Sequence, residues 1–274
     1  MKFKYLVLVF SIIIIFILLM TAFMPLLITG HEAVPNPLLI ALPLTAFMVL
    51  LLICFGLFFI LNYRLFSLLE KEDWPALAYY LEQKVFIRGY YSNRNVRLLA
   101  SAYIVMTDYL SVIKLESKAA IARPSVIDQN VLIFGSARIL SGKYNEAEFF
   151  FKTRLDRGAV KEKDKEWARW FYSFSQLLNG SFSKVEGEFI KFADSSDDAV
   201  ITGLSAYFLF FNLAKYSLKP YECTKTAENN RNRILKTLRK RELWKKETKK
   251  MSADIHIAII KKYIDETENW IYAD

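Results

Sequence analysis

The sequence predicts an all-α protein in which two transmembrane helices are followed by a solenoid of helical hairpins. Three observations support this fold class. Residues 5–63 contain no Lys or Arg and a single acidic residue, Glu32, whereas the rest of the chain is highly charged. In that charged part, apolar residues recur every three or four positions, the period of an amphipathic helix. One short turn pattern also recurs at a regular interval, as it does in repeat proteins.

Composition excludes several classes of protein. The 274 residues are 54% hydrophobic and 24% charged, with a net charge of +9. These values do not fit a disordered chain or a collagen. The two cysteines, Cys54 and Cys223, fall in different segments and predict no disulfide. Two long apolar runs are also too few for a many-helix transporter.

The first domain, residues 1–63, is predicted to be a transmembrane helical hairpin. Its helices cover about 5–28 and 38–63, and each exceeds the roughly 20 apolar residues that span a bilayer. The connector, residues 29–37, contains one Gly and two Pro that end one helix and allow the next to begin. A connector this short requires the two helices to run antiparallel.

Basic residues predict the orientation of the hairpin. Lys2 and Lys4 precede the first helix, Arg64 and Lys71 follow the second, and the connector has neither Lys nor Arg. By the positive-inside rule both termini are cytoplasmic. We therefore expect an integral protein of the inner or plasma membrane with a cytoplasmic C-terminal domain. A cleaved signal peptide is the alternative for the first helix, although its apolar run is longer than such peptides have.

Residues 64–200 contain the repeated pattern. Four short turns each end in an aromatic residue, and these aromatics are 35, 35 and 38 residues apart: Trp74, Tyr109, Tyr144 and Phe182. Seven residues before each turn stand Leu65, Ala100, Gly135 and Ser173, three of which are small. We expect the small residue to let two helices approach closely and the aromatic residue to fill the space between them. One hairpin cannot cover its own apolar face, so successive hairpins must stack.

The pattern resembles the tetratricopeptide repeat (TPR) over about residues 70–200. The residues that match are small and aromatic positions of the family's motif: Ala100, Tyr109, Gly135, Gly142, Tyr144, Ala147, Gly180 and Phe182. Arg138 and Arg154 depart from the family, which usually has a large apolar and a small residue at these places. The resemblance implies a partner groove lined by the first helix of each repeat, at Arg97, Tyr103, Arg138 and Gln176.

Residues 201–274 are predicted to form the C-terminal helices. The apolar segment 199–218 is predicted to be a buried solenoid helix. A third transmembrane helix is the alternative. A last amphipathic helix, 252–271, begins at Ser252 and is expected to cap the solenoid.

The excess positive charge lies in residues 225–250, which hold eleven basic and three acidic residues. The basic patch comprises Arg231, Arg233, Lys236, Arg239, Lys240, Arg241, Lys245 and Lys246. Three interpretations stay open: a solvated helix face, a contact with anionic lipid in which Trp244 adds anchoring, and an acidic protein partner. Nucleic acid is disfavoured because no known nucleic-acid-binding fold accompanies the charge.

Sequence motifs for catalysis are missing. The two His and two Cys have no metal-ligand spacing, and no phosphate-binding loop or nucleophile elbow is present. We therefore expect no enzyme activity and no cofactor. The predicted function is a membrane-anchored scaffold or adaptor that holds a protein partner at the cytoplasmic face of the membrane. The alternative is a structural subunit of a larger membrane machine for secretion, motility or envelope assembly.

The predicted topology is tested by cysteine accessibility in intact cells. A single cysteine placed within 30–36 is expected to react with a membrane-impermeant maleimide, because the connector is outside. A single cysteine within 225–250 is expected to react only after the membrane is permeabilised. The opposite pattern would contradict the cytoplasmic orientation.

Overall fold

A computed structural model describes residues 8–17, 19–20, 37–251, 257 and 259–273, with no side-chain description for 37–42, 44, 45 and 251. All regular secondary structure in these ranges is helical. The all-α prediction is therefore confirmed for the described part of the chain. Two compact units divide the molecule, Met1–Tyr80 and Leu81–Asp274, and each is described by itself.

The first unit contains the apolar helices α1 (Leu8–Ile17) and α2 (Pro37–Glu70). Within the described residues, one helical segment, Ala46–Glu70, is long and apolar enough to cross a membrane. The prediction of two spans is thus not confirmed, because much of the first apolar run lies outside the described residues. The rings of Phe10 and Phe55 are 4.4 Å apart, so α1 packs alongside α2.

The end of α2 forms the first helical hairpin together with α3 (Trp74–Glu82). Leu65 and Leu77 are buried, one on each helix. The Arg64 guanidinium carbon lies 5.3 Å from the centre of the Tyr80 ring. The apolar helix therefore continues beyond the predicted boundary at residue 63 and supplies the first helix of a hairpin within the first unit.

The second unit opens with a π-helical turn, Gln83–Ile87, and continues as stacked helices. These are α4 (Asn93–Val105), α5 (Tyr109–Ala122), α6 (Ser125–Asp128), α7 (Val131–Leu140), α8 (Tyr144–Asp156), α9 (Glu162–Leu178), α10 (Phe182–Ser195), α11 (Ala199–Phe211), α12 (Pro220–Thr237), α13 (Arg241–Met251) and α14 (Lys261–Ile271). A short 3₁₀ turn, Leu213–Lys215, follows α11. The pairs α4–α5, α7–α8, α9–α10 and α11–α12 are hairpins.

Successive hairpins pack in one repeated manner. The first helices contact one another in the order α4, α7, α9, and the second helices α5, α8 and α10 pack on α7, α9 and α11 in turn. Each hairpin of the second unit covers the apolar face of its neighbour. Together these covered faces form a continuous hydrophobic core.

Four hairpins close with the same backbone turn. One residue in each turn has a positive φ angle: Glu72 (53°), Thr107 (60°), Gly142 (73°) and Gly180 (80°). At the third turn, the Lys143 amide donates to the Arg138 carbonyl (2.9 Å) and the Gly142 amide donates to the Ile139 carbonyl (3.0 Å). The other three turns have equivalent pairs of bonds, which together form the Schellman motif that ends a helix. The predicted spacing of 35, 35 and 38 residues is thus a structural repeat.

Close helix approach occurs at Gly135, as predicted, but the aromatic side chain that fills the space is a different one. A Cβ atom on Gly135 would lie 2.1 Å from Cζ of Phe151, which is fully buried. The aromatics that follow the turns, Trp74, Tyr109, Tyr144 and Phe182, are only partly buried. They begin the second helix at the solvent-exposed edge of the hairpin, whereas Phe151 lies two turns further along, where the helices cross.

The C-terminal helices correct two predictions. Helix α11 ends at Phe211, not at 218, and most of its side chains are buried within the second unit, as expected of a core helix. Trp244 is not an interfacial anchor: it is fully buried, and a Cβ on Gly203 would lie 2.6 Å from its ring. Helix α14 packs on α11, α12 and α13, while the predicted cap Ser252 lies outside the described residues.

The Gly135 contact predicts a specific loss of stability. Gly135→Ala is expected to lower the free energy of unfolding by about 1–3 kcal/mol, because the fully buried Phe151 ring would have to shift to make room for the added Cβ. Gly187→Ala is the matched control: this helical glycine has nothing within 4 Å of the added Cβ. That change is expected to stabilise α10 by about 0.5–1 kcal/mol. Chemical unfolding of the full chain in detergent, followed by circular dichroism, measures both, and equal effects would contradict the packing described.

Candidate interaction surfaces

The four residues predicted to line a partner groove are not gathered on one open surface. Arg97 is exposed on α4 and lines a polar cavity of about 90 Å³ near Lys161 and Asp164. Tyr103 and Gln176 are buried, and the Arg138 side chain is only 12% exposed. These three residues occupy equivalent positions in their hairpins. In each case the backbone carbonyl accepts a hydrogen bond from the amide five residues later, in the turn that follows.

Each of these three side chains contacts a glutamate on the second helix of the preceding hairpin, namely α3, α5 or α8. The Tyr103 hydroxyl donates to Glu82 (2.6 Å), and Gln176 donates to Glu148 (2.8 Å). Nη1 of Arg138 lies 2.6 Å from a Glu116 carboxylate oxygen. Burial, reinforced by the Glu82 carboxylate, raises the pKa of Tyr103, so this hydroxyl stays protonated and donates. The three contacts therefore join successive hairpins through polar bridges.

The two arginines that depart from the TPR pattern share one aromatic ring. The guanidinium carbons of Arg138 and Arg154 lie 4.5 and 5.4 Å from the centre of the Phe150 ring. Nη1 of Arg154 also lies 2.6 Å from the Asp128 carboxylate. Each charge is thus paired with a carboxylate and rests on an aromatic face. The unusual residue types in the sequence were a signal of this cluster.

An open groove of about 540 Å³ runs along α8 beside this cluster. Its rim includes Phe149, which is 73% exposed, and Arg157, which is also exposed. The arginines deeper in the groove are already paired, so its charge is largely balanced.

Part of the predicted basic patch stabilises helix ends. Arg231 donates to the Ile271 carbonyl (3.1 Å) at the end of α14. Arg233 donates to the carbonyls of Ala193 (2.6 Å) and Asp194 (2.7 Å) near the end of α10. Cations at these positions satisfy carbonyls that lack partners in the helix and interact favourably with its dipole.

Two more basic residues contact α14. The Arg241 and Lys245 side chains lie 3.4 and 3.6 Å from the Glu268 carboxylate. Nearby, the Tyr207 hydroxyl donates to Glu266 (2.9 Å), and burial together with that carboxylate raises the pKa of Tyr207 to about 12. Sequence reasoning treated 225–250 as one patch, but these side chains hold α10, α12, α13 and α14 together.

The remaining members of the patch face outward. Lys236, Arg239 and Lys240, at the end of α12 and in the link to α13, are exposed, and we call them the cationic corner. Within the described ranges no carboxylate pairs with these three residues. Lys246 is also exposed, on α13.

Sequence reasoning missed one further surface, at the link between α3 and α4 and the end of α5. Ile87, Tyr90 and Ile121 are 73%, 60% and 87% exposed there. The exposure of Ile121 could not be read from helix periodicity, because it depends on how α5 is covered. In the described part of the chain, no group of three or more His, Cys, Asp or Glu residues could hold a metal ion.

Comparison with known proteins links this chain to a family of Treponema proteins. A family model described as "Uncharacterised Treponema protein" matches residues 111–273, from α5 to α14. An "Uncharacterized protein" of Treponema pallidum (strain Nichols) is 32% identical over 160 residues, which cover 58% of this chain. The match spans 50% of that relative, so this chain accounts for about half of its length. No solved structure matches.

The bridge between Arg138 and Glu116 predicts how variants at this position behave. Arg138→Ala is expected to cost about 3–5 kcal/mol of unfolding free energy, because it leaves the Glu116 carboxylate buried without a counter-charge. The double variant Arg138→Met with Glu116→Leu is expected to recover most of that loss, because neither charge then needs a partner. Chemical unfolding of the full chain measures both variants. A neutral Arg138→Ala variant would show that the bridge is not structural.

Proposed function

This chain belongs to the family of uncharacterised Treponema proteins, and we propose that it is a membrane-anchored scaffold of TPR-like hairpins that holds a protein partner. The α2 helix supplies the anchor, and the second unit supplies the binding surface. In the predicted orientation this surface faces the cytoplasm.

The observation that supports the proposal most strongly is the backbone turn that four hairpins share. Four hairpins close at equivalent positions with equivalent backbone hydrogen bonds, and within the second unit each hairpin packs on the next. Arrays of this kind generate extended surfaces in which many residues contact another macromolecule at once. The closely packed Gly135 and the buried Ala100 and Ala147 support the likeness to the TPR.

The cationic corner is the partner site that the charges favour. Its three side chains are exposed, while Arg231, Arg233 and Arg241 are engaged in contacts with α10 and α14. The largest apolar side chain of α13, Trp244, is buried and cannot enter a bilayer. An acidic protein segment therefore suits this corner better than a lipid surface does.

A charge-reversal experiment tests the corner. The triple variant Lys236→Glu, Arg239→Glu, Lys240→Glu is expected to weaken binding of a fluorescent poly-glutamate peptide by about tenfold or more. Binding to the wild-type chain in detergent is expected to fall as salt rises, because exposed charges are screened. The variant should unfold at the same temperature as the wild type, since none of these side chains is buried.

A matched control keeps the net charge change the same. Lys152, Lys184 and Lys191 are exposed residues on α8 and α10, and their reversal to Glu is expected to leave peptide binding unchanged. Equal loss in both triple variants would contradict a localised site. The subunit alternative is tested by purification from membranes, where it predicts a stoichiometric partner and an unstable isolated chain.

A further inference from the structure

The exposed surface at the link between α3 and α4 combines apolar and basic side chains. The π-helical turn ends with the Arg88 amide donating to the Gln83 carbonyl (3.1 Å) and the Tyr90 amide donating to the Lys84 carbonyl (3.0 Å). Gly89, between them, has a φ of 69°, a conformation that glycine adopts without strain. This tight reversal leaves both Ile87 and Tyr90 exposed to solvent.

The end of α5 lies against the same link. Nζ of Lys118 is 4.3 Å from the centre of the Phe86 ring, and Tyr90 and Arg123 line one open cavity of about 360 Å³. Ile121, between Lys118 and Arg123 in sequence, is 87% exposed. We call this surface the apolar–basic patch, which comprises Ile87, Arg88, Tyr90, Lys118, Ile121 and Arg123.

The two chain segments that form this patch contain basic residues and no acidic ones. No acidic residue occurs between Glu82 and Asp108, or between Glu116 and Asp128, whereas these two stretches contain six basic residues. Two carboxylates that flank these stretches in sequence are engaged with other side chains, Glu82 with Tyr103 and Glu116 with Arg138. The exposed Ile87, Tyr90 and Ile121 therefore share the patch with three exposed cations, Arg88, Lys118 and Arg123.

An anionic bilayer surface fits this combination. Exposed Ile and Tyr side chains enter the interfacial layer, where Tyr is enriched, while Lys and Arg contact anionic headgroups. Three exposed apolar side chains offer far less than the roughly 800 Å² per partner of a stable protein interface. A weak contact suffices for a surface that is already tethered, and Ile87 follows the candidate span Ala46–Glu70 by only 17 residues.

We propose that the apolar–basic patch is a second membrane contact, in which Ile87, Tyr90 and Ile121 enter the interface of an anionic leaflet. The inference rests on the proposed membrane anchor. The contact would hold α4 and α5 at the bilayer and leave the cationic corner, at the other end of the array, for the partner.

Depth-dependent quenching tests the contact with the full chain in lipid nanodiscs. The background carries Cys54→Ala and Cys223→Ala, and an environment-sensitive fluorophore is attached at Ile87→Cys. The control carries it at Phe149→Cys, whose native side chain is also 73% exposed. In nanodiscs containing phosphatidylserine, we expect the label at 87 to shift to shorter wavelength and to be quenched by brominated lipid. The label at 149 is expected to show neither effect.

Charge variants test the ionic part of the contact. Arg88→Glu with Arg123→Glu is expected to reduce the quenchable fraction at 87 about tenfold or more, whereas Arg88→Lys with Arg123→Lys is expected to retain it. Nanodiscs of phosphatidylcholine alone are expected to show the reduced signal with the unmodified arginines.

Three outcomes would overturn the proposal: a label at 87 that stays in water in both lipids, equal quenching in both lipids, or quenching that survives charge reversal. Failure of the anchor is recognised separately, since a chain without it would not co-elute with the nanodisc. A patch that stays in water on an anchored chain would instead be available to a protein.

Discussion

A left-handed residue closes the hairpins α4–α5, α7–α8 and α9–α10 of the second unit, and it sets the register on which their mutual contacts depend. Three turns of the second unit end their first helix with the same two backbone bonds. The residue whose carbonyl accepts the bond from five residues later therefore falls at the same place in these three hairpins. At that place stand Tyr103, Arg138 and Gln176, and each reaches a glutamate of the preceding hairpin. The turn therefore fixes both the closure of one hairpin and its polar contact with the next. Two turns accept a positive φ without glycine, at Glu72 and Thr107, which indicates that tertiary packing outweighs the local conformational cost.

The positive charge of the chain has two different uses. Arg231 and Arg233 satisfy backbone carbonyls at helix ends, and Arg138 and Arg154 lie on Phe150 with paired carboxylates. These cations are already engaged within the fold. They therefore contribute to its stability and attract an external partner only weakly. Other cations are exposed, and two groups of them form the cationic corner and part of the apolar–basic patch. The patch has Ile87, Tyr90 and Ile121 at 60–87% exposure, whereas Leu243, beside the corner, is 40% exposed. This difference in composition is why we propose an acidic protein segment for the corner and a lipid surface for the patch.

Under the proposed function, a scaffold tethered by α2 has less need for strong individual contacts. A tether raises the effective concentration of every surface it carries, so a few charges or three apolar side chains can orient a domain that they could not recruit from solution. Under the proposed function, the membrane contact near α4 and the partner contact near α12 lie at opposite ends of the stacked hairpins. The rigidity of the array, which follows from Gly135, Phe151 and the polar bridges, would then set the distance of the partner from the bilayer.

The sequence by itself determined the all-α class, the apolar helix of the first unit, the turn positions and the close approach at Gly135, because these depend on local composition, spacing and residue size. It also located the basic segment 225–250. The tertiary structure decided what spacing cannot encode, namely which side chain lies against which. Phe151, and not Tyr144, fills the space beside Gly135, because the helices cross two turns away from the loop. Trp244 is buried against Gly203. Two of the eight basic-patch residues contact helix-end carbonyls and two contact Glu268, because α12, α13 and α14 pack on α10 and α11. The exposure of Ile121 likewise depends on what covers α5, which is a property of the packed hairpins and not of the segment itself.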